Sequence, residues 1–169
     1  MKIGCVKEIK KHEYRVGMTP DNVRSYVAHH HAVYVEKGLG EGAAFPDEEY
    51  VKSGAQIVNT AEEVWNRSDM LIKVKEPLQE EYQFMKEGQI LYTYLHLAAD
   101  PEQTEALLSS KTKGVAYETL TDQNGVLPLL RPMSEIAGRL SIQEGAKCLE
   151  KPFGGRGVLL AGVSGVAKA

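Results

Sequence analysis

Residues 69–97, DMLIKVKEPLQEEYQFMKEGQILYTYLHL, constrain the fold more tightly than any other stretch of the chain. A short apolar run at 70–74 and a second run at 89–95, rich in aromatic and aliphatic residues, bracket a polar-faced helical segment at 78–86. Two strands joined by such a crossover lie parallel in one sheet, with their C-terminal ends on the same edge. Each run ends in a titratable side chain, Lys75 after the first and His96 after the second. Although 21 positions separate them in sequence, the crossover brings both to one edge. That is an active-site geometry in prospect, not yet an activity.

The flanking sequence repeats the pattern. Strands are expected at 3–6, 32–36, 55–58 and 114–117, alternating with helices that start at Pro20, Pro46-Asp47, Thr60 and Asp100-Pro101 and end near His30, Lys52, Arg67 and Ser110. Thr19 before Pro20 is a capping residue followed by proline at the first helical position. A glycine-rich loop, GLGEGAAF, follows the second strand. Regular alternation with short loops is the signature of an α/β domain. The expected fold is a Rossmann-like open, mostly parallel sheet with helices on both faces, followed by a long inter-domain helix. Ligands of such sheets bind beyond the carboxyl ends of the strands. Arg15, Lys75, His96 and Glu118 are the residues expected there.

After Thr119 the pattern changes. The turn at Asn124-Gly125 leads into a proline-bracketed extended segment, and Pro132 opens the longest helix, expected from 133 to about 151. Ala137, Ser141 and Gly145 recur at i+4 spacing and permit close approach of another backbone along one face. The tail, PFGGRGVLLAGVSGVAKA, is apolar and glycine-rich, the kind of run that packs against something further along a chain. The expected organisation is a domain at 1–127, then a linker helix and the start of a second domain at 128–169, within a longer protein.

Histidine is the natural acid or base near neutrality, and by strand alternation Tyr92, Tyr94 and His96 share a face. A histidine that merely caps a strand fits the same position. Lys75, with Lys73 two residues earlier on the same face, is either a solvated strand-end lysine or a point charge for a carbonyl or carboxylate. Arg15 sits in a basic loop with Lys7, Lys10 and Lys11. Its guanidinium matches a carboxylate through two parallel hydrogen bonds. Met133 and Ser134 open the long helix, where terminal amides favour anionic or polar ligands and ordinary capping fits equally well.

Other signals carry less. His29-His30-His31 are consecutive and do not converge readily on one ion, so a helix-end or surface role is expected and no metal site. Gly155-Arg156-Gly157 is followed by Leu160 where a dinucleotide fingerprint needs glycine or alanine, and no suitable strand precedes it. The net charge of −3 gives no electrostatic basis for binding nucleic acid or acidic membranes. Neither a signal peptide nor a membrane span is apparent, and Cys5 and Cys148 lack metal or redox spacing. A cytoplasmic setting is expected.

Taken together, KEIKKHEYRVGMTP, the GLGEGAAFPDEEY region, IKVKEP, LYTYLHLA, AYET, PLLRPMSEIAGRLSIQEGA and GGRGVLLAGVSGV resemble the N-terminal part of the alanine dehydrogenases, in the same order and over nearly all 169 residues. The resemblance implies an NAD-dependent interconversion of L-alanine with pyruvate and ammonium. The main NAD site would lie beyond this chain, which by itself would be inactive, and the full protein would be a homo-oligomer, hexameric in the family. It implies that Arg15 and Lys75 meet the substrate carboxylate and carbonyl, that His96 and Lys75 are catalytic, that Glu118 lies at the substrate, and that Met133 and Ser134 lie at the cofactor. The related transhydrogenase subunit shares the KEI-type and IKVKEP-type stretches. His96 and Met133-Ser134-Glu135 distinguish this chain from it. A non-catalytic binding or assembly module is the alternative of a different class.

Overall fold

The computed structural model describes residues 1–161 and 163–165. It divides into two units, Met1–Thr119 and Leu120–Ala169. The first is built on six strands: β1 (Lys2–Cys5), β2 (Ala32–Glu36), β3 (Gln56–Val58), β4 (Met70–Ile72), β5 (Ile90–Thr93) and β6 (Lys113–Ala116). They form one sheet in the order β3-β2-β1-β4-β5-β6, and every neighbouring pair is parallel. This is the doubly wound arrangement, whose strand order reverses between β1 and β4 and leaves a crevice at the carboxyl ends there.

Helices cover both faces. Strand alternation sends Ile3, Cys5, Val33, Val35 and Ile72 to a cluster with Val23 of α1 (Pro20–Ala28) and Tyr50 of α2 (Asp47–Lys52). Leu71 and Leu91 point the other way, toward Val64 and Trp65 of α3 (Ala61–Arg67) and Leu107 of α4 (Pro101–Ser110). Near α3 the backbone approach is close: a Cβ on Gly4 would overlap the Ser68 hydroxyl and stand 2.7 Å from Val64 Cγ1. The expected caps form. Thr19 accepts the Asn22 amide while Asn22 accepts the Thr19 amide, and Thr60 and Asp100 accept the amides of Glu63 and Gln103.

Three local expectations change. The segment at 78–86 is a 3-10 helix over Gln79–Phe84 rather than a full α-helix. Helix α1 ends at Ala28, and His29 closes it by donating from its ring to the Ser25 carbonyl at 2.8 Å. The strand expected at 70–74 is regular only to Ile72, beyond which the Lys73 amide bonds the Tyr92 carbonyl and the Val74 carbonyl accepts the Tyr94 amide. Lys73, expected on the same face as a solvated strand-end Lys75, is buried. Its side chain is 1% exposed and turns into the crevice.

In the second unit, α5 spans Arg131–Cys148, two residues earlier at its start and three shorter at its end than expected. A short 3-10 turn at Lys151–Phe153 follows. Part of the apolar tail expected to pack onward, residues 162 and 166–169, lies outside the described residues. No helix among the described residues is long and apolar enough to cross a membrane.

Candidate active site

Four strand exits supply the candidate residues. The loop leaving β1 carries Glu8, Glu13 and Arg15, and β4 leads into Lys73 and Lys75. Beyond β5 come Tyr94 and His96, and β6 leads into Tyr117 and Glu118. Register places Cys5 beside Ile72, Ile72 beside Tyr92 and Thr93 beside Ala116, so the four exits follow one another along the same sheet edge.

At the β1–β4 crevice lies a buried ionic cluster. Lys73 Nζ donates to Glu81 Oε1 at 2.6 Å and stands 3.9 Å from Glu8 Oε2. All three side chains are at most 5% exposed. Glu81 uses its other oxygen for the Leu78 amide, and Glu8 accepts the amides of Val74 at 2.6 Å and Lys75 at 3.3 Å. Burial raises the Glu8 carboxyl above its ordinary value, with Lys73 and the two amides opposing. Cys5, beneath the cluster, is pushed up to about 12 by burial and is not a reactive thiol.

Arg15 is held by an acid of its own loop. Its Nε donates to Glu13 Oε1 at 2.8 Å and a terminal nitrogen to Oε2 at 2.6 Å, while its backbone N–H also reaches Oε1. The guanidinium hydrogen bonds hold the Glu13 carboxyl below the ordinary range, and Lys75 adds to the effect. Arg15 remains half exposed and lines a hollow of about 240 Å³ with Glu8, Glu13, Leu39 and Gly42. Lys75 is half-buried, and its carbonyl accepts from Thr93 Oγ1 at 2.9 Å.

His96 is exposed in a left-handed conformation, φ 51°, directly after the turn from β5. Such a backbone is unfavourable for a side chain with a Cβ. Glu118 stabilises it by accepting the His96 amide at 2.7 Å and the Leu95 amide at 3.1 Å. Both residues line a second hollow of about 410 Å³ with Leu97, Ala99 and Ala116. Tyr94 links the two regions. Its ring stacks on His96 with centroids 6.1 Å apart, and burial raises its hydroxyl while the Arg15 cation opposes. Tyr117 packs edge-on against Tyr92 and Tyr94, and burial raises its hydroxyl as well.

The edge therefore gathers Arg15, Lys75, His96 and Glu118, with Arg15 and His96 opening on separate hollows. Met133, half-buried, and Ser134, exposed, stand in the first turn of α5 in the other unit. Their amides donate to the Leu130 carbonyl, as does the Ser134 hydroxyl. Sequence reasoning missed Glu8, Glu13 and Glu81. For Glu13 a signal existed, since an acid two residues before an arginine in a tight loop can fold back on it. For Glu8 and Glu81 there was none without the strand order. Among the described residues no group of three or more His, Cys, Asp or Glu side chains is arranged to hold a metal.

Comparison with known proteins identifies the family. The family profile described as alanine dehydrogenase/PNT, N-terminal domain, matches residues 4–137. The alanine dehydrogenases of Methanococcus maripaludis and Mycolicibacterium smegmatis are 58% and 52% identical over the whole chain, which covers 45% and 46% of their lengths. A solved L-alanine dehydrogenase superposes with a TM-score of 0.88 at 53% identity, over 100% of this chain and 46% of that one. A transhydrogenase from Sinorhizobium meliloti gives 0.67 at 25% identity, over 71% of this chain and 36% of that one. The chain thus spans just under half the length of the curated relatives it matches. With the family profile matching residues 4–137 and the fold shared with a solved L-alanine dehydrogenase, it belongs to the alanine dehydrogenase/PNT N-terminal domain family.

Proposed function

We propose that this chain supplies the substrate-binding part of an NAD-dependent alanine dehydrogenase, which reversibly oxidises L-alanine to pyruvate and ammonium. The observation that carries the reading is the placement of Arg15, Lys75 and His96 at neighbouring strand exits of one sheet edge, in a chain about half identical to proteins named alanine dehydrogenase. In the reductive direction the two cations hold the pyruvate carboxylate, and Lys75 polarises the ketone for attack by ammonia. His96 then carries protons as the carbinolamine loses water. Glu118 keeps His96 in place through the backbone and contributes to the substrate surface.

The main dinucleotide site is assigned outside this chain, as the family resemblance implies. The amides and hydroxyl at the start of α5 are bonded to Leu130, and no glycine loop there joins a strand to a helix. NAD is accordingly assigned chiefly to sequence outside this chain, with Met133 and Ser134 as subsidiary contacts. The working protein is taken to be a cytoplasmic homo-oligomer, hexameric as in the family, and the chain alone to be inactive.

Titration of the 169-residue chain with pyruvate and with NADH tests the reading. Millimolar or tighter pyruvate binding without tight NADH binding is expected. Tight NADH binding, or alanine oxidation by the chain alone, would overturn it. In the full-length parent, His96→Ala should lower turnover by roughly 100-fold or more, and near-normal turnover across pH would remove His96 from the mechanism. The transhydrogenase reading has weaker support, since that likeness is 25% against 53% identity and covers less of the chain.

A further inference from the structure

Two buried acids face one buried lysine at the β1–β4 crevice, and their partners differ. Glu81 takes the close contact with Lys73 at 2.6 Å, whereas Glu8 stands 3.9 Å from that ammonium. The shortest hydrogen bond to Glu8 comes from backbone, the Val74 amide at 2.6 Å, and the Lys75 amide reaches the same oxygen at 3.3 Å. Glu8 leaves β1, while Val74 and Lys75 leave β4, so these bonds span the point where the strand order reverses. Lys75 is held from the other side too, because Thr93 Oγ1 donates to its carbonyl. A buried ionic cluster is often no more stabilising than apolar residues of the same volume, so stability alone is a poor reason for Glu8. What it does specifically is accept two amides at the exit that carries a site lysine.

We propose that Glu8 is a positioning residue for Lys75, its buried carboxylate fixing through the Val74 and Lys75 amides the place where Lys75 leaves the sheet edge. The inference deepens the substrate-site reading and rests on it for the role of Lys75. Glu8 also lines the hollow beside Arg15, but its carboxylate bonds the two backbone amides, and the role proposed for it is exercised through Lys75. On the β5 side the Val74 and Lys75 carbonyls accept from the Tyr94 amide and the Thr93 hydroxyl, and Glu8 fixes the two amides from the β1 side, so that Lys75 is presented to a carboxylate in one arrangement.

The test compares Glu8→Gln with Glu8→Met. Both remove the charge at similar length, and only the glutamine keeps an acceptor oxygen. In the Met variant, hydrogen exchange at Val74 and Lys75 should quicken by about tenfold or more, and pyruvate should bind roughly tenfold more weakly. The Gln variant should stay within about threefold of the parent chain in both. Equal behaviour of the two variants would overturn the proposal, as would lost amide protection with pyruvate affinity unchanged. Should the Met variant not fold, the parent chain decides. The Val74 and Lys75 amide proton shifts should titrate together at one midpoint, a titration absent from Glu8→Gln, and amides indifferent to that substitution refute the role. If the parent chain binds no pyruvate, the substrate-site reading fails, and the exchange contrast still settles whether Glu8 fixes the Lys75 backbone.

Discussion

Lys73 Nζ lies 2.6 Å from Glu81 Oε1 with both side chains buried, and this pair is the charge balance on which the crevice depends. Removing the cation leaves Glu81 and Glu8 as two uncompensated buried acids. Lys73→Met is therefore expected to destabilise the chain by about 3–5 kcal/mol, the cost of breaking a buried pair on one side. Urea unfolding at pH 7 measures it. A loss under about 1 kcal/mol at pH 7 would mean that the cluster is hydrated rather than dry.

Glu8 gives a pH dependence of unusual sign for a carboxylate. Burial raises its folded-state value above the ordinary one, so between the two values the folded chain binds more protons than the unfolded. The associated stability is full below the ordinary value and is lost as pH rises through the folded value. Relative to Glu8→Gln, which does not titrate, the parent chain should lose stability as pH rises from the ordinary carboxyl value of 4.5 through the raised folded-state value. Paired unfolding curves across that range check the direction, and a parent chain that gains on the variant as pH rises would contradict it.

Glu13 works the other way. Its carboxyl is held below the ordinary range by the Arg15 guanidinium, so its contribution is present above that value and lost as pH falls through the folded one. Arg15 is half exposed, so solvent screening keeps this contribution under about 1 kcal/mol. Arg15→Lys cannot reproduce the two parallel bonds, and carboxyl NMR of Glu13 should show its midpoint moving back up toward the ordinary range. If Arg15 also clamps substrate, the same variant should bind pyruvate about tenfold more weakly by calorimetry.

Much of this framework was readable in the residues themselves. Thr19, Thr60 and Asp100 mark helix starts because capping is a local event, decided within four residues. The strand runs at 3–6, 32–36 and 89–95 were visible because a doubly covered parallel sheet needs apolar side chains on both faces. The edge residues Arg15, Lys75, His96 and Glu118 followed from parallel pairing alone. Lys73 did not, because its burial depends on where the regular strand ends, one residue before it, and on Glu8, 65 positions away. The 3-10 geometry of Gln79–Phe84 was equally hidden. Glu81 is drawn inward to Lys73 and bonds the Leu78 amide, which tightens that turn through a contact no local pattern announces.

Glu118 holds His96 through the main chain, and this separates two consequences that a direct substrate contact would merge. In Glu118→Ala the amides of Leu95 and His96 lose their acceptor, and the left-handed backbone at His96 loses what fixes it. Stability should fall by about 1–2 kcal/mol, and exchange at those two amides should quicken while Val74 and Lys75 stay protected. Glu118→Gln retains one acceptor and should fall between. In the full-length parent the alanine variant should lower kcat more than it raises the pyruvate KM, because His96 moves while Arg15 and Lys75 sit on other loops. A rise in KM with kcat preserved would instead make Glu118 a ligand contact first, with its hold on His96 incidental.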